Sequence, residues 1–257
     1  MTESTLALEG GTPVRSAPFP PTNTIGAEER EAVLAVLDSG ALSQFLGVWG
    51  EEFLGGPWVR QCEAAVRQRL GSEYAVSVNS ATTALQVSLA AVGVEPGDEV
   101  IVPPYTMSAT AATVVLAGAI PVFADIEEET YGLDPASVAE RITPRTRAIV
   151  AVHLFGHPAR MGGLNELVER HGLRLVEDAA QSLGATWHGR QTGTIGDVGV
   201  VSLNRHKIIQ SGEGGVVVTD DPTIAQVAQL ARNHGEVVVA NLDLPSIANT
   251  VGSNYRL

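Results

Sequence analysis

An α/β fold, with a mostly parallel, doubly wound sheet flanked by helices, is predicted by two features of this sequence. From Tyr74 onward, short β-rich runs alternate with helix-length runs, and 44% of the 257 residues are hydrophobic, enough for one large domain with a sizeable core. Before that alternation comes an irregular, proline-rich start (Pro13, Pro18, Pro20, Pro21). Ala27 to Ser39 then places apolar residues at helical spacing and stops at Gly40, as an amphipathic helix does. The division expected is an N-terminal irregular segment, 1–26, followed by one large domain, 27–257. Ala41 to Pro57 is rich in glycine and aromatic residues without periodicity, which leaves open a loop over a site or simple packing. Strands are expected at Tyr74 to Val78, Glu99 to Val102, Pro121 to Ala124, Ala148 to Leu154, Arg174 to Val176, Val198 to Leu203 and Val216 to Thr219. Helices are expected at Ala81 to Val92, Ser108 to Ala117, Pro135 to Arg141 and Met161 to His171.

The formal net charge of -13 argues against nucleic acid or an anionic membrane as partner, because an acidic surface repels polyanions. Cys62 is the single cysteine, so no intramolecular disulfide framework exists, and Met1 to Phe19 lacks the order of a signal peptide. No apolar run reaches the ~18 residues of a membrane span, and the cytoplasm is the expected location. Of the 16 basic residues, 15 are arginine and only Lys207 is lysine. Guanidinium stays protonated and is a poor nucleophile, whereas a flanked or desolvated lysine can lose its proton and form an imine.

In a doubly wound sheet, ligands bind at the carboxyl ends of strands, and four such ends are chemical here. Val78 runs into Asn79, Ser80, Ala81, Thr82 and Thr83 and directly into a helix. This is either an ordinary serine N-cap or an anion site with hydroxyl donors added to free amides. Val176 runs into Glu177, Asp178 and, three residues later, Gln181. A buried Asp178 would pair with a cation such as the protonated ring nitrogen of pyridoxal phosphate, with Gln181 at the ring hydroxyl, or would cap the next helix. Val201-Ser202-Leu203 leads to Arg205-His206-Lys207 and then to Gly212-Glu213-Gly214-Gly215, where the flanking cations would lower the lysine pKa. The last is the polar Gly252-Ser253-Asn254-Tyr255-Arg256.

Taken in order, Asn79-Ser80-Ala81-Thr82, Glu177-Asp178-Ala179-Ala180-Gln181, Ser202 with Lys207 and Gly212-Glu213-Gly214-Gly215, and Asn254-Tyr255-Arg256 resemble the DegT/StrS-type sugar aminotransferases. The resemblance runs from about Gly10 to the last residue. It implies a fold-type-I pyridoxal 5'-phosphate enzyme in which Lys207 forms the internal aldimine, Asp178 pairs with the pyridinium and Gln181 contacts the ring hydroxyl. Ala81, Thr82 and Ser202 would hold the phosphate, and Asn254 would reach the phosphate of a neighbouring subunit in a homodimer with shared sites. The reaction implied moves an amino group from glutamate or glutamine to a keto-sugar, often nucleotide-linked, or to a cyclic ketone, and needs no metal. Two departures stand out. Met107 occupies the position where an aromatic residue commonly stacks on the ring, so either its thioether or Tyr105 would cover it. The sequence also stops one residue after Asn-Tyr-Arg, so the smaller C-terminal domain of the family is expected to be absent.

Two alternatives keep their place. A dehydratase of the same family carries histidine where this chain has Lys207, with His206 beside it. A non-catalytic or truncated cofactor-binding subunit, paired with a longer homologue, would also retain these motifs. A nucleotide-binding domain is excluded by the lack of a Gly-x-Gly-x-x-Gly or Walker-type loop after the first strand.

Overall fold

The computed structural model describes residues 5–19, 25–48, 50–235 and 252–257. They fall into two compact units, Met1–Leu42 and Ser43–Leu257. The first holds helix α1, Ala27–Ser39, where the apolar spacing predicts it. The Gly26 N–H donates to Glu29 Oε2 at 2.6 Å to start the helix, and Gly40, at φ 70°, closes it. None of its residues is buried.

The second unit opens on a stretch in which Phe45 and Phe53 are buried while Leu46 and Val48 stay exposed. Helix α2, Pro57–Leu70, follows; the sequence reading left it unmarked, although Pro57 at its first turn and Gly71 in the left-handed region are ordinary start and stop signals. Then come β1 (Tyr74–Val78), α3 (Ala81–Ala91), β2 (Glu99–Val102), α4 (Ala109–Leu116), β3 (Ile120–Phe123), α5 (Pro135–Arg141), β4 (Thr146–Val152), α6 (Met161–His171) and β5 (Arg174–Asp178). Two-residue strands β6 (Thr186–Trp187) and β7 (Arg190–Gln191) make a separate ribbon, turned by His188 and Gly189, both at positive φ. The unit is completed by β8 (Val198–Ser202), β9 (Gly215–Thr219) and α7 (Pro222–Arg232), another helix left unmarked. Asp221 caps α7, accepting from the N–H groups of Thr223 and Ile224 at 2.7 and 3.2 Å.

Seven strands form one sheet in the order β1-β9-β8-β5-β4-β2-β3. The pairs β8/β5, β5/β4, β4/β2 and β2/β3 are parallel, whereas β9 is antiparallel to both β1 and β8. The exception has a simple cause. The chain returns from β8 to β9 through residues 203–214 without a crossover helix, and only an antiparallel neighbour can be reached that way. Burial alternates as the strands demand: Val100 and Val102 join one core with Leu85 of α3 and Ile224 of α7, while Ile101 joins the opposite core with Val138 of α5 and Leu164 of α6. Helices therefore cover both faces, and the segments leaving the carboxyl ends of β1, β2, β4, β5 and β8 meet at one edge.

Candidate active site

A cavity of about 510 Å³ opens at that edge. Ala81, Thr82, Met107, Asp178, Gln181, Ser202 and Lys207, all singled out from the sequence, line it. Asn254 does not: it is exposed and forms an isolated bridge with Asn233. The next residue's carbonyl, that of Tyr255, accepts the Asn79 N–H at 3.0 Å, which ties the terminal strip to the end of β1.

One wall is the N-terminus of α3. Ser80 Oγ accepts the Thr83 N–H at 3.0 Å and lies 2.8 Å from Thr83 Oγ1, which in turn donates to Asn79 Oδ1 at 2.7 Å. The N-cap reading of this strand end is the one the bonds realise. Ser80 is the N-cap and Thr83 is consumed in the cap, while Ala81 and Thr82, whose first-turn amides have no helical acceptor, line the cavity. The helix end can come this close to β9 because Gly215 has no side chain; a Cβ there would lie 2.5 Å from the Ser80 carbonyl carbon.

The opposite wall carries Asp178 at the end of β5. It is 7% exposed, and no helix follows it to be capped. Its Oδ1 accepts the Ala180 N–H at 3.1 Å and its Oδ2 takes a long 3.5 Å contact from Thr110 Oγ1 of α4. Burial pushes the carboxyl above its ordinary range, opposed by the Ala180 N–H and by the charges of His153 and Lys207. His153 Nδ1 accepts the Ala159 N–H at 3.1 Å, which leaves the ring proton on Nε2, 2.8 Å from Glu177 Oε2. Glu177 also accepts the N–H groups of Gly193, Ile195 and Gly196, so its charge is fully answered inside the core.

Gln181 Oε1 accepts the Phe155 N–H at 2.8 Å, which turns its Nε2 donor away toward other acceptors. Phe155 holds φ at 54° and lines the cavity. Of the two residues that could cover a bound ring, Met107 is in the cavity wall. Tyr105 is drawn aside, its ring meeting Tyr131 and Phe155 edge-on at 6.3 and 6.2 Å. Sequence reading missed Thr110, His153, Phe155 and Asn204, because each acts through a fold-made contact; the unusual φ of Phe155 leaves no mark on the sequence.

A model of the DegT/DnrJ/EryC1/StrS aminotransferase family matches residues 23–257. The chain belongs to that family. Its sheet is that of fold-type-I aminotransferases, shared at a TM-score of 0.76 and 32% identity with a solved GDP-4-keto-6-deoxymannose-3-dehydratase holding a trapped PLP-glutamate geminal diamine; the match covers 90% of this chain and 58% of that one. Among curated family members, the L-glutamine:2-deoxy-scyllo-inosose aminotransferase of Streptomyces kanamyceticus is 40% identical over 98% of this chain and 59% of its own length. The dTDP-3-amino-3,4,6-trideoxy-alpha-D-glucose transaminase of Streptomyces venezuelae is 43% identical over 81% of this chain and 52% of its own. The chain therefore spans between half and three-fifths of the length of these relatives.

Proposed function

We propose that this DegT-family chain forms the pyridoxal-phosphate site of an aminotransferase that moves an amino group from glutamine or glutamate to a cyclic ketone or a nucleotide-linked keto-sugar. The observation that carries it is the convergence of Lys207, buried Asp178 and the open N-terminus of α3 on one cavity. The residues fit the cofactor in charge as well as size. A carboxylate pushed up by burial calls for a cation, which a pyridinium supplies, and the free amides of a helix N-terminus suit a phosphate. When bound, pyridoxal phosphate supplies a carbonyl that takes up the amino group and a protonated ring that draws electrons from the neighbouring carbon.

The chain's own residues do the rest. Lys207 would hold the cofactor through its amine and would be the base that moves the proton during amino transfer. Asp178 keeps a negative charge against the ring nitrogen. The first-turn amides of Ala81 and Thr82, with the hydroxyls of Thr82 and Ser202, bind the phosphate. Gln181, its Oε1 occupied by Phe155, would offer Nε2 to the ring oxygen, and the Met107 thioether would cover the ring. Asn254, exposed and outside its own cavity, is free to serve the phosphate of a second copy in a homodimer with shared sites. The single, half-buried Cys62 agrees with a cytoplasmic enzyme.

The test adds pyridoxal phosphate and follows the visible absorption, then adds L-glutamine, then 2-deoxy-scyllo-inosose or a dTDP-linked keto-sugar. A spectral change with the donor that reverses with the ketone, with an aminated product by mass spectrometry, is expected. Loss of a hydroxyl from the ketone without amination would assign a dehydratase instead. Turnover seen only with a longer homologue present would make the chain a cofactor-binding partner.

A further inference from the structure

The loop that carries Lys207 has a hub, and that hub is Asn204. Residues 203–214 leave β8 and return to β9 with a neck closed by backbone bonds: Leu203 N–H to Gly214 O, Arg205 N–H to Gly212 O and Ser211 N–H to Leu203 O, each at 2.9 Å. Those bonds hold the base of the loop and leave its tip to side chains. Asn204 engages every polar group it has. Its N–H donates to Ser202 Oγ at 3.3 Å, its carbonyl accepts the Lys207 N–H at 2.9 Å, its Oδ1 accepts the His206 N–H at 3.4 Å, and its Nδ2 donates to both carboxylate oxygens of Glu213 at 2.9 and 2.8 Å. Ser211 Oγ, donating to the Glu213 carbonyl at 2.7 Å, fixes the far end of the clamp. Asn204, Lys207 and Glu213 all line the cavity.

We propose that Asn204 is a positioning residue which, clamped on Glu213 across the loop, sets where the Lys207 amine stands in the cavity. The inference rests on the reading that Lys207 holds the cofactor. The physical basis is the fixed polarity of the carboxamide: Oδ1 faces a backbone donor and Nδ2 faces an anion, so only an amide suits both partners at once. Aspartate, of the same shape, keeps the first bond and turns the second into a carboxylate facing a carboxylate. The clamp then opens while the backbone neck and the core strands stay. A displacement of about 1 Å at an attacking amine costs on the order of 100-fold in rate.

The experiment measures how fast pyridoxal phosphate becomes borohydride-trapped on Lys207, mapped by peptide mass spectrometry, with the thermal midpoint of the cofactor-free chain as control. Asn204→Asp is expected to slow trapping at least about tenfold with little change in midpoint. Glu213→Gln alone should slow trapping less than Asn204→Asp does, because one of the two oxygens that accept from Asn204 remains. The double variant Asn204→Asp/Glu213→Gln restores a donor and acceptor with reversed polarity and should recover most of the rate; that recovery is one a merely structural role would not give. If Asn204→Asp does not fold, Asn204→Leu must show the same slowing. Parental trapping in Asn204→Asp, or no recovery in the double variant, overturns the proposal alone. Absence of trapping on Lys207 in the parent overturns the cofactor reading and this proposal with it.

Discussion

Lys207 and Asp178 sit on one cavity with opposite demands, and each yields a residue-level prediction. Removing the amine in Lys207→Ala is expected to leave the fold intact and to abolish borohydride-trapped cofactor; label retained elsewhere on the chain would displace Lys207 from its role. For Asp178 the sign follows from burial, which raises its carboxyl above the unfolded value. A proton held more tightly by the folded chain adds stability that is full below the unfolded value and is lost as pH rises through the raised one. The ionised carboxylate is therefore a liability in the cofactor-free chain at neutral pH. Asp178→Asn should raise its melting temperature, by about 2–4 °C for each kcal/mol relieved in a chain this size. The same variant should lose at least about 100-fold of turnover, because the ring nitrogen loses its counter-charge. A lower midpoint, or unchanged turnover, would count against the assignment.

At the scale of elements, the phosphate wall depends on how closely α3 approaches β9. Gly215 permits that approach, since a Cβ would stand 2.5 Å from the carbonyl carbon of Ser80. Gly215→Ala must push the N-terminus of α3 outward or bend the start of β9, at a cost of about 1–3 kcal/mol. Titration calorimetry with pyridoxal phosphate should show at least about tenfold weaker binding, with α3 still helical by circular dichroism. Unaltered affinity would mean that the free amides of α3 are not the phosphate site. The loop at Gly193 to Gly196 is held differently, by Glu177 reaching three backbone N–H groups from inside the core.

At the scale of the whole second unit, Arg232 is the tie that joins distant stretches. It is fully buried, bonded to Glu63 Oε1 at 2.6 Å and to the Ser77 carbonyl at 3.3 Å, with its guanidinium 4.8 Å from the Phe45 ring centroid. Neighbouring Asn233 donates to the carbonyls of Leu46 and Phe53 and accepts from Arg256 Nε. Arg232→Met would strand Glu63 without its cation and is expected to cost about 3–5 kcal/mol, part of it recovered by Glu63→Gln. Denaturant titration of both variants checks this. The shared-site dimer is tested by mixing Lys207→Ala chains with Asn254→Ala chains, each inactive alone. Random re-association leaves one intact site in each mixed dimer, so about a quarter of parental activity should return. No return would place Asn254 outside the partner's site.

The sequence by itself determined the kind of fold and named residues that the fold gathers at one edge of the sheet. Alternating β-rich and helical runs specified the mostly parallel sheet because period and composition are local properties. Lone Lys207 and the strand-end motifs marked six residues that the cavity brings together, and the family resemblance added Met107. Helices α2 and α7 were also written locally, in Pro57 and Asp221-Pro222 at their starts and in apolar residues at helical spacing behind them. What only the tertiary structure decided are relations between residues far apart in the chain. The return of β9 antiparallel to β1 and β8 is set by a connection without a crossover helix. Met107 stands in the wall because Tyr105 is claimed by Tyr131 and Phe155, and Asn204 becomes a hub only when Glu213 arrives across the loop. Such contacts depend on where the backbone turns back, and no local pattern of residues encodes that.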